Sequence, residues 1–197
     1  MSYRVNEIFL TRQGEGFNQG KKVIFIRLSG CNLACEWCDT DFKDFTVMEV
    51  AEILKELQHW DCRAVIITGG EPTIQNLGPL TETLKKAGYW IGIESNATRS
   101  LEPVAQYLDY IALSPKRHAP VGQFKASEVR VVNDGLATED LLKYERLIDA
   151  ERYYISPLDI DGKMNILECM ELLAKINILS SKGWQISLQL HKLAGIP

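Results

Sequence analysis

Residues 30–40, with the sequence GCNLACEWCDT, contain three of the five cysteines of this 197-residue chain. Three residues separate Cys31 from Cys35, and two separate Cys35 from Cys38. Three thiolates on one short loop can fold around a single soft metal centre, and both zinc and iron–sulfur clusters accept such ligands. Because polar residues lie between the cysteines, we do not expect this loop to be packed in the core. The three thiols therefore predict a metal site.

Zinc is the alternative to an iron–sulfur cluster at this loop. Structural zinc takes four ligands, usually from two separated pairs, and no second pair follows here. A ferredoxin run would carry a fourth cysteine nearby, which is also missing from the sequence. Three cysteines therefore favour a cubane cluster in which one iron lacks a protein ligand and can bind a small molecule. A fourth zinc ligand would come from Cys62, Cys169, His59, His118 or His191.

The composition is that of an ordinary globular protein, with 46% hydrophobic and 24% charged residues, and one domain over residues 1–197 is expected. The net charge of −4 disfavours direct binding to nucleic acid. No apolar run approaches the roughly 20 residues that span a bilayer, and the first ten residues lack a signal-peptide pattern. We therefore expect a cytoplasmic location without membrane association, and reduced thiols rather than a disulfide framework.

Short β-rich runs alternate with helical patterns along the chain. Several of these runs are continuously apolar, as in strands covered on both faces, and such alternation predicts a parallel sheet with right-handed crossovers. A complete eight-fold barrel needs about 250 residues. We therefore predict an α/β fold with a partial, incomplete parallel β/α barrel and a reduced helix count. The strand candidates are residues 22–28, 64–68, 90–95, 110–114, 128–132, 152–156 and 185–190, with an extra strand within 3–11.

One helical pattern is the sequence TVMEVAEILKEL, residues 46–57, whose apolar side chains fall on one face. Thr46 and Glu49 would form a capping box at its start. The segment 115–127, between two strand candidates, shows no helical period. Further helix candidates are residues 76–87, 101–108, 138–150 and 163–181.

Polar and glycine-rich segments follow the predicted strands at their carboxyl ends. Parallel α/β folds carry their chemistry in such loops, so we expect these loops to face one common opening. The segments are residues 29–40, 68–72, 94–98, 114–118, 133–135, 156–159 and 190–192.

The CxxxCxxC spacing, with Trp37 directly before the last cysteine, resembles the cluster motif of the radical S-adenosylmethionine (SAM) enzymes. TGGEP, residues 68–72, is similar to the GGE motif of that superfamily, whose glycine backbone contacts the methionine amino group of SAM. The resemblance implies that Cys31, Cys35 and Cys38 hold a 4Fe–4S cluster and that SAM binds its open iron. Electron transfer from the cluster then cleaves SAM to methionine and a 5′-deoxyadenosyl radical.

Further motifs narrow the resemblance to the 7-carboxy-7-deazaguanine synthase family, essentially from end to end. They are QGEG at 13–16, IRLSGCNLAC at 26–35, CDT at 38–40, SPK at 114–116 and the ending SLQLHKLAGIP. The resemblance implies conversion of 6-carboxy-5,6,7,8-tetrahydropterin to 7-carboxy-7-deazaguanine with loss of ammonia, in queuosine and deazapurine biosynthesis. It also implies magnesium, an electron donor such as flavodoxin, a homodimer, and a pared-down barrel of the radical SAM type.

The resemblance assigns roles to individual residues, and none is a catalytic side chain, because SAM and the cluster carry the chemistry. Thr40 has the position of the family's magnesium ligand, and a hydroxyl oxygen suits that ion. The substrate-binding positions are Arg12, Gln13, Gly14, Glu15, Arg27, Thr68, His191 and Pro197, the last through the chain's terminal carboxylate. The SAM-binding positions are Trp37, Cys38, Asp39, Gly70, Glu71, Ser114, Pro115, Lys116, Ser156, Pro157, Leu158 and Asp159.

Two positions depart from the family. Arg12 stands where many relatives have an aliphatic residue, so only its backbone is expected to contact the substrate. Ser156 stands where relatives commonly have Gln. Arg27, on an apolar strand, either forms a buried ion pair or clamps the substrate carboxylate. Glu15 would face the guanidine-like edge of the pterin, because a carboxylate can accept two N–H bonds. Without the family, His191 would read as a structural histidine.

Two other kinds of protein compete with this interpretation. A radical SAM activase that makes a glycyl radical on a partner protein would share the cysteine motif but lack the QGEG start and the LQLHK…GIP ending. A small electron-transfer or zinc-binding module would also use the cysteines. Cys62 and Cys169 match no motif and are expected to pack beside helices.

Overall fold

The computed structural model describes residues 1–38, 40 and 44–197. Within them the chain forms two compact units, and the expectation of one domain over 1–197 stays a prediction. No helix of the described residues is long and apolar enough to cross a membrane. Unit 1 comprises residues 1–12, 21–95 and 100–111, and unit 2 comprises residues 13–20, 96–99 and 112–197.

Unit 1 is built on five strands in the order β5-β4-β2-β1-β3. Strands β2, β4 and β5 are parallel, whereas β1 is antiparallel to both β2 and β3. The central strands are buried, as their apolar runs predicted. The strands are β1 (Ser2–Arg12), β2 (Lys22–Leu28), β3 (Thr46–Glu49), β4 (Ala64–Gly69) and β5 (Trp90–Ser95).

Two helices join the parallel strands of unit 1. Helix α1 (Val50–Leu57) buries Ile53 and Leu57, and α2 (Gly78–Lys86) buries Leu80 and Leu84. Each side chain removed from water in this way stabilises the fold by about 1.5–3 kcal/mol. The helices lie within the regions that the apolar spacing predicted.

The predicted helix start at Thr46 is wrong. Residues 46–49 form strand β3, in which Thr46 pairs with Val5 of β1 and Glu49 with Ser2. Pairing with β1 satisfies the backbone there, and β-branched residues such as Thr46 suit a strand. The capping box lies three residues later, where the Glu52 carboxylate accepts from the Glu49 amide at 2.7 Å.

The predicted helix over residues 101–108 is also wrong, because only the short 3₁₀ turn Ala105–Tyr107 forms. Pro103 biases the residue before it away from helical geometry. Asp109 accepts from the Ile91 amide through its side chain and donates its own amide to the Ile91 carbonyl, each at 2.8 Å, so the chain is bonded to β5 just before the next strand begins. Eight residues are also too few for a helix to persist without strong packing.

Unit 2 is built on parallel strands in the order β11-β8-β7-β6, and the boundary between the units falls within β6. A short antiparallel hairpin, β9–β10, precedes the longest helix. The strands are β6 (Tyr110–Leu113), β7 (Lys125–Asn133), β8 (Asp149–Pro157), β9 (Asp159–Ile160), β10 (Lys163–Met164) and β11 (Gln185–Ile186). The helices are α3 (Thr138–Leu147), α4 (Ile166–Leu179) and α5 (Leu190–Ala194).

Several boundaries in unit 2 differ from the sequence prediction, and at three of them residues adopt a different kind of structure from the predicted one. The helix predicted over 138–150 ends at Leu147, because β8 begins at Asp149. The helix predicted from 163 begins at Ile166, since Lys163 and Met164 pair with β9 instead. The strand predicted over 185–190 ends at Ile186, and α5 begins at Leu190.

Candidate functional site

The cysteine loop follows the carboxyl end of β2 in unit 1. Gly30 begins it with φ at 93°, in the left-handed region that favours glycine. The Leu33 amide lies 3.4 Å from Cys31 Sγ, and the Cys38 amide donates to the Cys35 carbonyl at 3.2 Å. Cys31 and Cys35 are half-buried and Cys38 is exposed, so a small group can reach all three thiols.

The donor set of this loop fits an iron–sulfur cluster. Its three soft thiols lie within eight residues, and no disulfide joins the cysteines of the described chain. Among the residues that the structure describes, no three His, Cys, Asp or Glu side chains already stand together as a metal site. Trp37 and Thr40 are half-buried. Asp39, a predicted SAM contact, lies outside the described residues.

The backbone of the GGE segment lies directly against the cysteine loop. A Cβ atom on Gly70 would lie 2.3 Å from the Gly30 carbonyl oxygen and 2.8 Å from Cys31 Cβ. A Cβ atom on Gly69 would lie 1.9 Å from the Leu28 carbonyl oxygen. The Glu71 amide also donates to the Gly30 carbonyl at 2.9 Å. Only glycines permit this approach, so the two predicted motifs are neighbours within unit 1.

Glu71 is buried, and its carboxylate forms hydrogen bonds within the protein. Its Oε1 accepts from the Thr73 amide at 3.1 Å, from Thr73 Oγ1 at 2.6 Å and from Ser95 Oγ at 3.0 Å. These bonds cap the 3₁₀ turn Pro72–Ile74 and connect it to the end of β5. The predicted contact of Glu71 with SAM would therefore come from a carboxylate that already holds the loop in place.

Arg27 and Thr68 are held by carboxylates of neighbouring strands. Arg27 Nε lies 2.6 Å from Glu7 Oε1, and the Arg27 side chain is 24% exposed, so the pair is only partly buried. Thr68, which is buried, donates from Oγ1 to Glu94 Oε2 at 3.0 Å. Glu7 and Glu94 therefore orient two of the predicted substrate contacts.

In unit 2, the QGEG loop packs on the C-terminal segment. The Gly14 carbonyl accepts from the Leu190 amide at 3.0 Å, and a Cβ atom on Gly14 would lie 2.2 Å from His191 Nδ1. The half-buried His191 ring therefore lies directly on the Gly14 backbone. Gln13 is buried, and its Oε1 accepts from the Glu15 amide at 3.1 Å. Four predicted substrate-binding residues thus meet within this unit.

The SPLD segment at the end of β8 contains two buried polar atoms with no hydrogen-bond partner among the described residues, Ser156 Oγ and Asp159 Oδ1. Buried polar atoms are normally hydrogen-bonded, so such atoms indicate a missing ligand or water. The other oxygen of Asp159 pairs with Lys192 Nζ at 3.2 Å. Pro157 is buried and Leu158 half-buried, and the Leu158 amide donates to Asn165 at 2.8 Å.

The remaining predicted contacts range from buried to exposed. Lys116 Nζ donates to the carbonyl and the hydroxyl oxygen of Ser114, at 2.8 and 2.7 Å, around the buried Pro115. Arg12 at the end of β1 and Pro197 at the chain end are both exposed.

Sequence reasoning missed two buried charges on β7, Glu128 and Arg130. The Arg130 side chain is 6% exposed and that of Glu128 is 2% exposed, and both contact the QGEG loop. Their signal in the sequence is EVRVV, in which two charged residues two positions apart share one face of an otherwise apolar strand. Charges are rarely buried unless they are paired, so the pattern indicated an internal ion pair.

The two cysteines outside the loop are buried, as expected for packing residues. Burial raises the pKa of the Cys169 thiol, although Asn133, whose Nδ2 lies 3.5 Å from its sulfur, opposes the shift. The thiolate is the form that binds metal, so burial disfavours Cys169 as a ligand. Cys62 Sγ lies 3.5 Å from the carbonyl oxygens of Lys22 and Ala64.

Comparisons with known proteins agree on one kind of relative. The model of the radical SAM superfamily matches residues 25–118. A 7-carboxy-7-deazaguanine synthase of Neisseria meningitidis serogroup B is 44% identical, over 98% of this chain and 94% of the relative. The synthase of Haemophilus influenzae is 43% identical, over 99% and 94%. The crystal structure of QueE from Escherichia coli superposes with a TM-score of 0.75 at 26% identity, covering 97% of this chain and 95% of that one.

Proposed function

The chain belongs to the 7-carboxy-7-deazaguanine synthase family of radical SAM enzymes, and from this premise we propose how its residues serve the family's reaction. It is a radical SAM lyase that converts 6-carboxy-5,6,7,8-tetrahydropterin to 7-carboxy-7-deazaguanine with loss of ammonia. Its mostly parallel sheet with few helices, and its likeness to QueE, confirm the predicted α/β partial barrel of the radical SAM type. The activase alternative is not favoured, because relatives that align with nearly the whole chain are synthases.

A 4Fe–4S cluster and SAM follow from the family, and when bound they supply its radical chemistry. In this chain the thiolates of Cys31, Cys35 and Cys38 would hold the cluster. The backbone at Gly69 and Gly70 would contact the methionine end of SAM. The observation that carries this assignment is the approach of Gly70 to Gly30 and Cys31, which leaves no room for a side chain between the two motifs.

Further contacts to SAM would come from the loops that end β6 and β8. Ser156 Oγ is buried without a hydrogen-bond partner in the described part of the chain, so it could bond to SAM without giving up an internal bond. This supports a SAM contact even though relatives commonly have the longer Gln here. The other proposed SAM contacts are Trp37, Cys38, Asp39, Glu71, Ser114, Pro115, Lys116, Pro157, Leu158 and Asp159.

The pterin would be recognised by groups that match its polar edges. Arg27 would bind the substrate carboxylate with the guanidinium nitrogens other than Nε, which Glu7 engages. Thr68 and His191 would donate to or accept from the pterin ring, and the backbone at Gln13 and Gly14 would bond to its edge. Further proposed contacts are the Arg12 backbone, the Glu15 carboxylate and the terminal carboxylate of Pro197.

Magnesium is part of this proposal through Thr40, whose hydroxyl oxygen is a hard ligand suited to the ion. Because Mg²⁺ keeps several waters and few protein ligands, one hydroxyl together with substrate oxygens is a reasonable donor set. Removing the hydroxyl in Thr40→Val should raise the magnesium concentration needed for half-maximal product formation. An unchanged magnesium dependence would contradict a role for Thr40.

The test of the function is product identity. Protein reconstituted anaerobically with iron and sulfide, then given SAM, a reductant and 6-carboxy-5,6,7,8-tetrahydropterin, should release 7-carboxy-7-deazaguanine. Cys35→Ala should lose both the cluster and the product. Cys62→Ala is the matched control, because Cys62 is buried among the strands of unit 1 and should keep its iron content. Full turnover by Cys35→Ala would rule out the proposed cluster.

Partners beyond the small-molecule substrate are also proposed. Reduced flavodoxin should replace a chemical reductant in the assay, as the family resemblance suggests, and the enzyme should act in the cytoplasm without binding nucleic acid or membrane. We also propose a homodimer. An exposed apolar stripe on α4, formed by Leu167, Met170, Ala174 and Ile178, supports it.

A further inference from the structure

The QGEG loop of unit 2 rests on a buried ionic network that the family motifs do not include. Arg130, on β7, lies between two carboxylates. Its NH1 nitrogen donates to Glu15 Oε2 at 2.9 Å, and its Nε lies 3.0 Å from Glu128 Oε1. The side chains of Glu128 and Arg130 are almost fully buried, and that of Glu15 is 21% exposed. One guanidinium thus bridges the loop to the strand.

The same network fixes the backbone of the loop. The Phe17 amide donates to Glu128 Oε2 at 2.8 Å, and the Gly16 amide donates to Ser187 Oγ at 2.8 Å. A Cβ atom on Gly16 would lie 2.2 Å from Glu128 Oε1, so the loop backbone lies directly on that carboxylate. The loop is therefore bound to β7 through both its side chain at Glu15 and its main chain.

The network continues to the segment that carries His191. Gln189 Nε2 donates to the second oxygen of Glu15 at 3.2 Å, and the next residue, Leu190, donates its amide to Gly14. Glu15 therefore accepts a bond from β7 on one oxygen and from the C-terminal segment on the other. A shift of Arg130 would move both groups of proposed pterin contacts.

The charges make this arrangement depend on Arg130 in particular. The Glu128 carboxylate and the guanidinium are shielded from water, the Glu15 carboxylate is partly buried, and an unpaired buried charge is strongly destabilising. Arginine can serve both carboxylates at once because its donors form a rigid fork, whereas lysine offers one compact ammonium group. Lysine in this place would keep the positive charge but could not hold both carboxylates in the same geometry.

We propose that Arg130 is a positioning residue: by bridging Glu128 to Glu15 it holds the loop 13–16 and the C-terminal segment in the geometry that the pterin requires. The inference rests on the proposed function for the identity of the ligand. It also gives Glu15 a structural role ahead of its proposed contact with the pterin, since both of its carboxylate oxygens already accept hydrogen bonds from the protein.

The test uses Arg130→Lys, because truncation to alanine would leave two buried carboxylates unpaired and could prevent folding. In the reconstituted enzyme we expect the KM for the pterin to rise about 10- to 100-fold, the range expected when a charged hydrogen bond is lost. We expect kcat and the dissociation constant of SAM to stay within about two-fold of wild type, as for loss of uniform substrate binding. Arg146→Lys is the matched control. Arg146 is exposed in the last turn of α3, in the same unit as Arg130.

Hydrogen exchange provides a second readout that needs no activity. In Arg130→Lys the Phe17 amide should exchange at least about 10-fold faster, because the Glu128 carboxylate that accepts its hydrogen bond is no longer held. The Gly16 amide, which donates to Ser187, should exchange faster as the loop loosens. Unchanged exchange and KM would overturn the proposal. A parallel loss of SAM affinity, kcat and thermal stability would also overturn it, since that is the result of a general folding defect. If exchange accelerates but the wild-type enzyme makes no deazaguanine, Arg130 still holds the loop in place and the proposed function fails.

Discussion

At the scale of single residues, Gly70 is the position where the GGE segment meets the cysteine loop without room for a side chain. Its φ lies outside the left-handed region, so its requirement for glycine is purely steric. The carbonyl of Gly30 and the Cβ atom of Cys31 occupy the space that a side chain would need. These neighbours are backbone atoms and the Cβ atom of a proposed cluster ligand, which cannot rotate away as the end of a flexible side chain could.

We therefore expect Gly70→Ala to separate the GGE backbone from the cysteine loop. Overpacking of this kind costs about 1–3 kcal/mol. Where this cost falls on the geometry that binds SAM, the affinity for SAM drops by about 5- to 150-fold. Iron content after anaerobic reconstitution and the dissociation constant of SAM measure the effect.

The matched control for this change is Gly78→Ala. A Cβ atom there would meet only Asn76 Oδ1 at 3.4 Å, an ordinary contact, at the start of α2. Alanine is a better helix former than glycine, so Gly78→Ala should be neutral or stabilising. Wild-type iron content and SAM affinity in Gly70→Ala would show that the close approach is not required.

The buried Tyr144 leads to a prediction of how the stability of the fold changes at alkaline pH. Burial, and to a smaller extent Asp140 and Asp134, raise the pKa of Tyr144 from 10.0 to about 12. Below pH 10 both folded and unfolded chains keep this proton, whereas above it the unfolded chain loses the proton first. The folded state therefore loses stability as pH rises, by about 1.4 kcal/mol at pH 11.

Tyr144→Phe should abolish that part of the alkaline loss. Urea unfolding of the cluster-free protein at pH 8 and pH 11 measures the difference in the free energy of unfolding. Tyr107→Phe, at a less buried tyrosine, is the control and should follow the wild-type decrease. If all three proteins lose the same free energy between the two pH values, Tyr144 does not contribute.

At the scale of elements, the parallel strands could be predicted because continuous burial leaves a continuous apolar run. Two of them, Lys22–Leu28 and Trp90–Ser95, have the predicted bounds. Thr46–Glu49 could not be predicted, because its partner is β1, about forty residues earlier, and pairing overrides a helical pattern. Residues 101–108 are a second overpredicted helix, in which the apolar spacing is helical but the proline and the following strand leave only a 3₁₀ turn.

The candidate site shows the same division between local and distant information. Cysteine and glycine spacing is local, so the cluster loop and the GGE segment could be recognised from their letters. The partners Glu7 of Arg27, Glu94 of Thr68 and Arg130 of Glu15 lie on other strands, and no spacing rule connects them. The lone Arg27 on its apolar strand and the alternating charges in EVRVV indicated that such partners existed, but not which residues they are.

The C-terminal element, α5 with its tail, leads to a prediction about chain length. Gly195 ends α5 in the left-handed region, and Pro197 follows as an exposed terminus. If its carboxylate binds the pterin, two serines added after Pro197 should raise the KM for the pterin at least about 10-fold, because a charged hydrogen bond is lost. SAM affinity should change little.

The control for the tail is the same two serines placed before Met1. The terminal ammonium there pairs with Glu49 in a setting where both groups are exposed, and such pairs contribute little. This addition should leave both constants unchanged. A C-terminally extended enzyme with a wild-type KM would remove Pro197 from the pterin site.

At the scale of the whole molecule, the surface of α4 bears on assembly. Leu167, Met170, Ala174 and Ile178 recur three and four residues apart and form one exposed stripe, with Ile178 84% exposed. A two-fold axis crossing the helix near its middle would pack the stripe on its own copy in antiparallel fashion. The axis would also bring Glu171, beside the stripe, close to the Lys175 of a second copy, so the surface is complementary to itself in charge.

Ile178→Asp tests this surface, because it places a charge at the end of the stripe that a second copy would cover. We expect the dimer dissociation constant, measured by sedimentation equilibrium, to rise at least about 10-fold, since a buried unpaired charge is costly. Leu179→Asp is the matched control, because Leu179 is also exposed but points about 100° away around the helix. Equal effects of the two substitutions, or a wild-type chain that sediments as a monomer, would exclude α4 as the dimer interface, because only a contact through the stripe distinguishes residue 178 from residue 179.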